Sequence, residues 1–149
     1  MIIKTLSVFA MSAFVAGCVT LDDRIDQIGE ESLRSVQLMA ESSPRMDEPE
    51  AEERYIDAAK EAAVRDLVDP ESAQFRDIEV VAYNNGYVVC GEINGKNRMG
   101  GYVGFRPFVA GLSDARLAFI PSPRTRTSSA RVESVELAAN RGLIAACGN

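Results

Sequence analysis

The sequence predicts an α+β domain: an N-terminal helix, a four-stranded antiparallel β-meander and a C-terminal helix, with one disulfide as its staple. Three observations predict it. Apolar residues recur at helical spacing from Ile56 to Leu67, alternate with polar ones at period two across residues 76–121, and return to helical spacing from Val132 to Ala146.

The chain has 149 residues, 46% apolar and 26% charged. Such a composition excludes wholesale disorder, a collagen-like repeat and a polytopic membrane protein. A formal net charge of -6 argues against nucleic acid as a partner, because neutralising phosphates takes a surplus of Lys and Arg. Histidine is absent, which removes Ser-His-Asp and Cys-His catalysis and His-ligated zinc together. No cofactor or metal site is expected.

The first 17 residues read as a signal peptide. Lys4 supplies a lone positive charge and Leu6 to Ala16 is an apolar run too short for a stable transmembrane helix. The run ends in Val15-Ala16-Gly17-Cys18, which resembles a lipobox. In bacterial lipoproteins the thiol takes a diacylglycerol, cleavage leaves the Cys as residue one, and a further acyl chain such as palmitate follows. Cys18 is thus the expected lipidation site and the bilayer an expected partner through it. More than one acyl chain makes anchoring stable. An ordinary secretory peptide or an uncleaved anchor, with Cys18 a bystander, is the alternative. Val19 in place of Asp after the Cys implies, by resemblance to lipoprotein sorting in diderm bacteria, an outer-membrane protein facing the periplasm. The mature chain then carries 15 basic and 22 acidic side chains, a net of -7, so no polybasic patch assists the anchor.

Residues 18–52 read as a lipid-anchored tether, flexible or partly helical. Leu21, Ile25, Ile28, Val36 and Met39 fall near helical spacing, but Ser32 and Ser35 interrupt the stripe, so a helix over 22–40 is marginal alone. A coil of about 30 residues reaches roughly 30 Å and holds a domain clear of head groups. A docking helix or coiled coil is the alternative.

The globular domain is expected over 53–149. Pro49 suits a first helical turn, Glu50, Glu52 and Glu53 complement the helix dipole, and Ile56, Ala59, Ala63 and Leu67 share a face flanked by Tyr55 and Val64. The helix should end at Asp69-Pro70. Ile78, Val80 and Ala82 alternate up to Asn84-Asn85-Gly86, a tight hairpin signal because Asn and Gly tolerate positive φ. Tyr87–Ile93 returns as the second strand. Tyr102–Ala110 and Ala115–Ile120 read as the third and fourth, and Pro107 points to an edge or a bulge. After a loop at 121–129, Ser128 or Ser129 can cap a helix carrying Val132, Val135, Ala139, Leu143 and Ala146, which Gly148 ends. The helices should cover the apolar side of the sheet.

With Cys18 lipidated, Cys90 and Cys147 remain, and in an oxidising compartment two thiols suggest a pair. A reactive thiol is the alternative, though no His and no adjacent base supports it.

The stretch from Cys90 to Phe108 holds glycines at 91, 95, 100, 101 and 104. A phosphate cradle fails on sequence: Gly95-Lys96-Asn97 lacks the Ser or Thr that follows Gly-Lys in a Walker motif, and a strand rather than a helix follows. A wide turn fits better, with Glu92, Asn94, Asn97 and Arg98 bonding loop backbone or pairing their charges. Tyr102, Phe105 and Phe108, read as exposed beside Arg98 and Arg106, suit a protein contact. The candidate partner-binding set is Glu92, Asn94, Lys96, Asn97, Arg98, Tyr102 and Phe105.

Asp69-Pro70-Glu71-Ser72-Ala73-Gln74-Phe75-Arg76, with Cys90-Gly91-Glu92-Ile93-Asn94-Gly95-Lys96-Asn97 and Gly100-Gly101-Tyr102-Val103-Gly104-Phe105, resembles a group of small uncharacterised bacterial and phage-encoded secreted proteins and lipoproteins. The resemblance covers roughly residues 60–110, and departs from the group at Gly95, where Ala is usual. It implies the fold and the paired cysteines, and no activity. In the first motif Asp69-Pro70 should start a turn, Phe75 enter the core and Arg76 bond a carboxylate such as Glu92.

Three functions are open to such a chain. The first is an envelope lipoprotein with a non-catalytic domain that binds an envelope protein or maintains structure. The second is an inhibitor or exclusion lipoprotein acting on a foreign or host enzyme, such as a basic lysozyme attracted by an acidic domain. The third is a hydrolase using Glu92, Asp114 or Lys96 as acid and base, although nothing singles out a carboxylate pair.

Overall fold

A computed structural model describes residues 20–43, 49–118 and 130–148. The signal peptide, Cys18, Val19, Pro44, the end of the expected fourth strand, the 121–129 loop and the cap at Ser128 or Ser129 lie outside them. The elements are α1 (Leu21–Glu41), α2 (Pro49–Val64), a 3-10 turn (Pro70–Ser72), β1 (Gln74–Tyr83), β2 (Gly86–Asn94), β3 (Arg106–Ala110), β4 (Ala115–Leu117), α3 (Ala130–Ala139) and α4 (Arg141–Cys147). The strands form one antiparallel sheet in the order β1-β2-β3-β4, the meander the alternation predicts.

Both faces of this sheet are covered. On one, α1 and α4 bury Val36, Met39, Ala40 and Ala146 against Val88, Cys90 and Val109; on the other, α2 buries Tyr55, Ala59 and Ala63 against Val89, Ile93, Phe108 and Ala110. That explains the run Val88-Val89-Cys90: a strand buried on both sides loses its polar alternation. The expected single covered side is corrected accordingly, and so is the tether, since α1 supplies the missing cover. Its start is fixed by a capping box, with Asp23 N donating to Thr20 Oγ1 at 3.2 Å and Thr20 N to the Asp23 carboxylate at 2.9 Å.

Ser32, which interrupts the α1 stripe in sequence, is a contact rather than a gap. Its hydroxyl donates to the Ala139 carbonyl at 2.9 Å and accepts from Gly142 N at 3.0 Å. A side chain inserted there breaks the expected single C-terminal helix into α3 and α4 around Asn140. The close approach requires Gly142, where a Cβ would stand 2.2 Å from the Ser32 carbonyl oxygen.

Other differences are local. The second helix stops at Val64, short of Pro70, and Leu67 N turns back to the Val64 carbonyl at 2.9 Å. In the β1–β2 hairpin the positive φ belongs to Asn84, at 51°, whereas Gly86 is needed because its Cβ would meet the Ala40 carbonyl oxygen at 1.8 Å. The third strand starts at Arg106 and is internal rather than an edge. Pro107 is tolerated there because Ala118 N still donates to its carbonyl at 2.8 Å, while the Ala118 carbonyl takes the Arg106 guanidinium in place of the missing proline N–H. The bulge falls in β1, between Arg76 and Glu79, with Asp77 at a φ of 53°.

A disulfide joins Cys90 in β2 to Cys147 at the end of α4, with Cα atoms 5.7 Å apart. Gly148 ends α4 as expected, its N–H donating to the Ile144 carbonyl at 2.9 Å.

Candidate functional site

The glycine-dense segment after β2 is a wide loop, residues 95–105, held by its own polar side chains. Asn97 Oδ1 accepts from Met99 N at 2.9 Å and Gly101 N at 3.1 Å, and Asn97 N donates to the Gly101 carbonyl at 2.9 Å. Asn94, buried at the end of β2, accepts from Gly104 N at 2.9 Å and donates to Gln74 Oε1 at 3.4 Å. Lys96 N donates to Ser72 Oγ at 3.1 Å, which ties the loop to the Asp69–Ser72 turn. Gly100 and Gly104 hold φ values of 78° and 97° that side-chain-bearing residues rarely adopt.

At the base of the loop Arg76 pairs with Glu92 across β1 and β2, as the sequence predicts, and lies 4.1 Å over the Phe105 ring. The Glu92 hydrogen bond pushes the guanidinium's pKa up. Phe75 packs edge-on against Phe108 with ring centroids 5.8 Å apart. Phe108 is therefore core, and the reading of it as exposed is corrected. Phe105 is half-buried beneath Arg76.

The loop presents an apolar surface. Met99 is 94% exposed, Tyr102 47% and Val103 59%, with Val68 from the α2–β1 connection 60% exposed. Lys96 Nζ lies 5.5 Å from the Tyr102 ring centroid, and Arg98 is exposed beside it in the loop. Beneath is a cavity of about 160 Å³ lined by Leu67, Val68, Ile93, Lys96, Val103 and Arg106, with Asp66 and Asn97 also on its wall. The Arg106 Nε–H is buried and meets no acceptor, the one such side-chain atom among the described residues. Burial holds this guanidinium below its ordinary pKa.

Of the seven predicted residues, Glu92, Asn94 and Asn97 spend their side chains on the scaffold, and Phe105 packs under Arg76. Lys96, Arg98 and Tyr102 remain on the surface. Sequence reading missed Leu67, Val68, Met99 and Val103, and took Arg106 as exposed. The one available signal was Pro107, whose missing donor demands a substitute from a neighbour. Glu92 sits in β2, where it pairs with Arg76, and Asp114 lies in the β3–β4 turn, where its Oδ1 accepts from Ala115 N at 2.9 Å. Among the described residues no group of three or more His, Cys, Asp or Glu is placed to hold a metal, and no helix is long and apolar enough to cross a membrane.

Comparison of the chain with known protein families, with curated proteins and with solved structures gives no match.

Proposed function

We propose that this protein is a bacterial envelope lipoprotein, anchored through acylated Cys18, whose non-catalytic domain binds another envelope protein with the 95–105 loop and the cavity below it. The observation that carries the binding part is the contrast within the loop. Asn97 within it and Asn94 at its base spend their side-chain amides on its backbone, so the loop is fixed before any partner arrives, while Met99, Tyr102 and Val103 face outward beside Lys96 and Arg98. Preorganised apolar surface rimmed by cations is what interfaces use, because little ordering entropy is lost on binding.

The anchor rests on the lipobox-like Val15-Ala16-Gly17-Cys18. With α1 capped at Thr20, two residues after Cys18, the chain between cap and anchor can reach no more than about 7 Å. The domain then sits against the head groups rather than clear of them. Intact-mass measurement of the protein purified from native membranes tests the anchor. A chain beginning at Cys18 with added acyl mass is the expected result, and a chain beginning at Met1 would exclude it.

A further inference from the structure

Neither Lys96 nor Arg106 pairs with a carboxylate among the described residues. Arg106 lines the cavity while its Nε–H is closed off from it and lacks an acceptor, so the protein leaves this guanidinium's charge under-compensated. Larger grooves, about 380 Å³ between α1 and the β3–β4 turn, about 410 Å³ between α1 and α3–α4 and about 360 Å³ along α2, contain no such buried unpartnered group.

We propose that the Arg106 cavity binds a carboxylate that carries an apolar group. The acid would lie toward Arg106 and Lys96, with Asn97 on the same wall, and the apolar part against Leu67, Val68, Ile93 and Val103. Asp66, also on the wall, leaves the site one net positive charge, which matches a monoanion better than a phosphate dianion. Two sources share this chemistry, the C-terminus of a polypeptide ending in an apolar residue and a free small organic acid. The inference rests on reading this face as the contact surface and names what that surface selects.

The test uses the full chain in detergent and follows the Arg106 Nε–H resonance with four probes: 3-methylbutanoate, its neutral amide, an acetylated tripeptide ending in Leu with a free carboxylate, and the same peptide amidated. Each carboxylate should shift the resonance saturably and bind at least about tenfold more tightly than its amide. The free-acid peptide outperforming 3-methylbutanoate assigns the site to a polypeptide terminus, and the reverse order assigns it to a small acid. Lys96→Met should weaken carboxylate binding with the melting temperature unchanged. Arg106 itself is left in place because it also serves the Ala118 carbonyl. Equal response to acids and amides, or no saturable response to either, overturns the proposal. Crosslinking of a partner from Met99 alongside that negative result would leave the contact surface standing without its carboxylate specificity.

Discussion

Ser32 and Tyr55 show how single hydroxyls hold this molecule together. Removing the Ser32 hydroxyl leaves the Ala139 carbonyl and Gly142 N without their partner in a buried seam. Ser32→Ala should cost about 2 kcal/mol, read as a lower urea midpoint with unchanged slope. Tyr55 donates to the Tyr87 carbonyl at 2.5 Å with Ser43 alongside, joining α2 to β2 and to the end of α1. Burial pushes its pKa above 10.0, partly offset by Ser43. Folding therefore favours the protonated hydroxyl: its contribution is complete below the ordinary value and is lost as pH rises through the raised folded one. Tyr55→Phe should cost about 1 kcal/mol at neutral pH and flatten the alkaline limb of stability against pH. The Arg76–Glu92 pair was legible from residue types alone. The half-buried Arg106 was not, because a lone Arg in a period-two segment reads as a solvent-facing position until the chain is folded around it.

At the scale of elements, period and turn chemistry were enough for the meander. Asn84-Asn85 reversed the chain as expected, and alternation set the register. Helix α1 was misread for a physical reason. Small residues at a close helix crossing look like breaks in an apolar stripe, and only the partner helix shows that Gly29 and Ser32 are buried. A paired substitution separates the two kinds of glycine. At Gly142 a Cβ meets the Ser32 backbone, whereas at Gly29 it meets the flexible Arg141 side chain at 3.2 Å. Gly142→Ala should therefore destabilise by about 1–3 kcal/mol through forced separation of α4 from α1. Gly29→Ala should be neutral or stabilise by up to about 1 kcal/mol by restricting the unfolded chain. Thermal melts of both variants check the contrast.

For the molecule as a whole, the Cys90–Cys147 bridge closes a loop with a sequence separation of 57 and clamps α4 to the centre of the sheet. Replacing both cysteines by Ser should lower stability by about 4 kcal/mol on the chain-entropy account, measured against the oxidised protein in the same buffer. The pairing was legible from the even count left after Cys18. The two-sided cover of the sheet was not, because it depends on α1. The face around Met99 is where a partner should bind. Photo-crosslinking in intact cells tests it most directly, with the probe at Met99 and, as a control, at exposed Asp57 on α2. A discrete adduct from position 99, absent from 57 and diminished in Cys18→Ser, is the predicted result. Adducts of the same kind from both positions, or none from either, would contradict it.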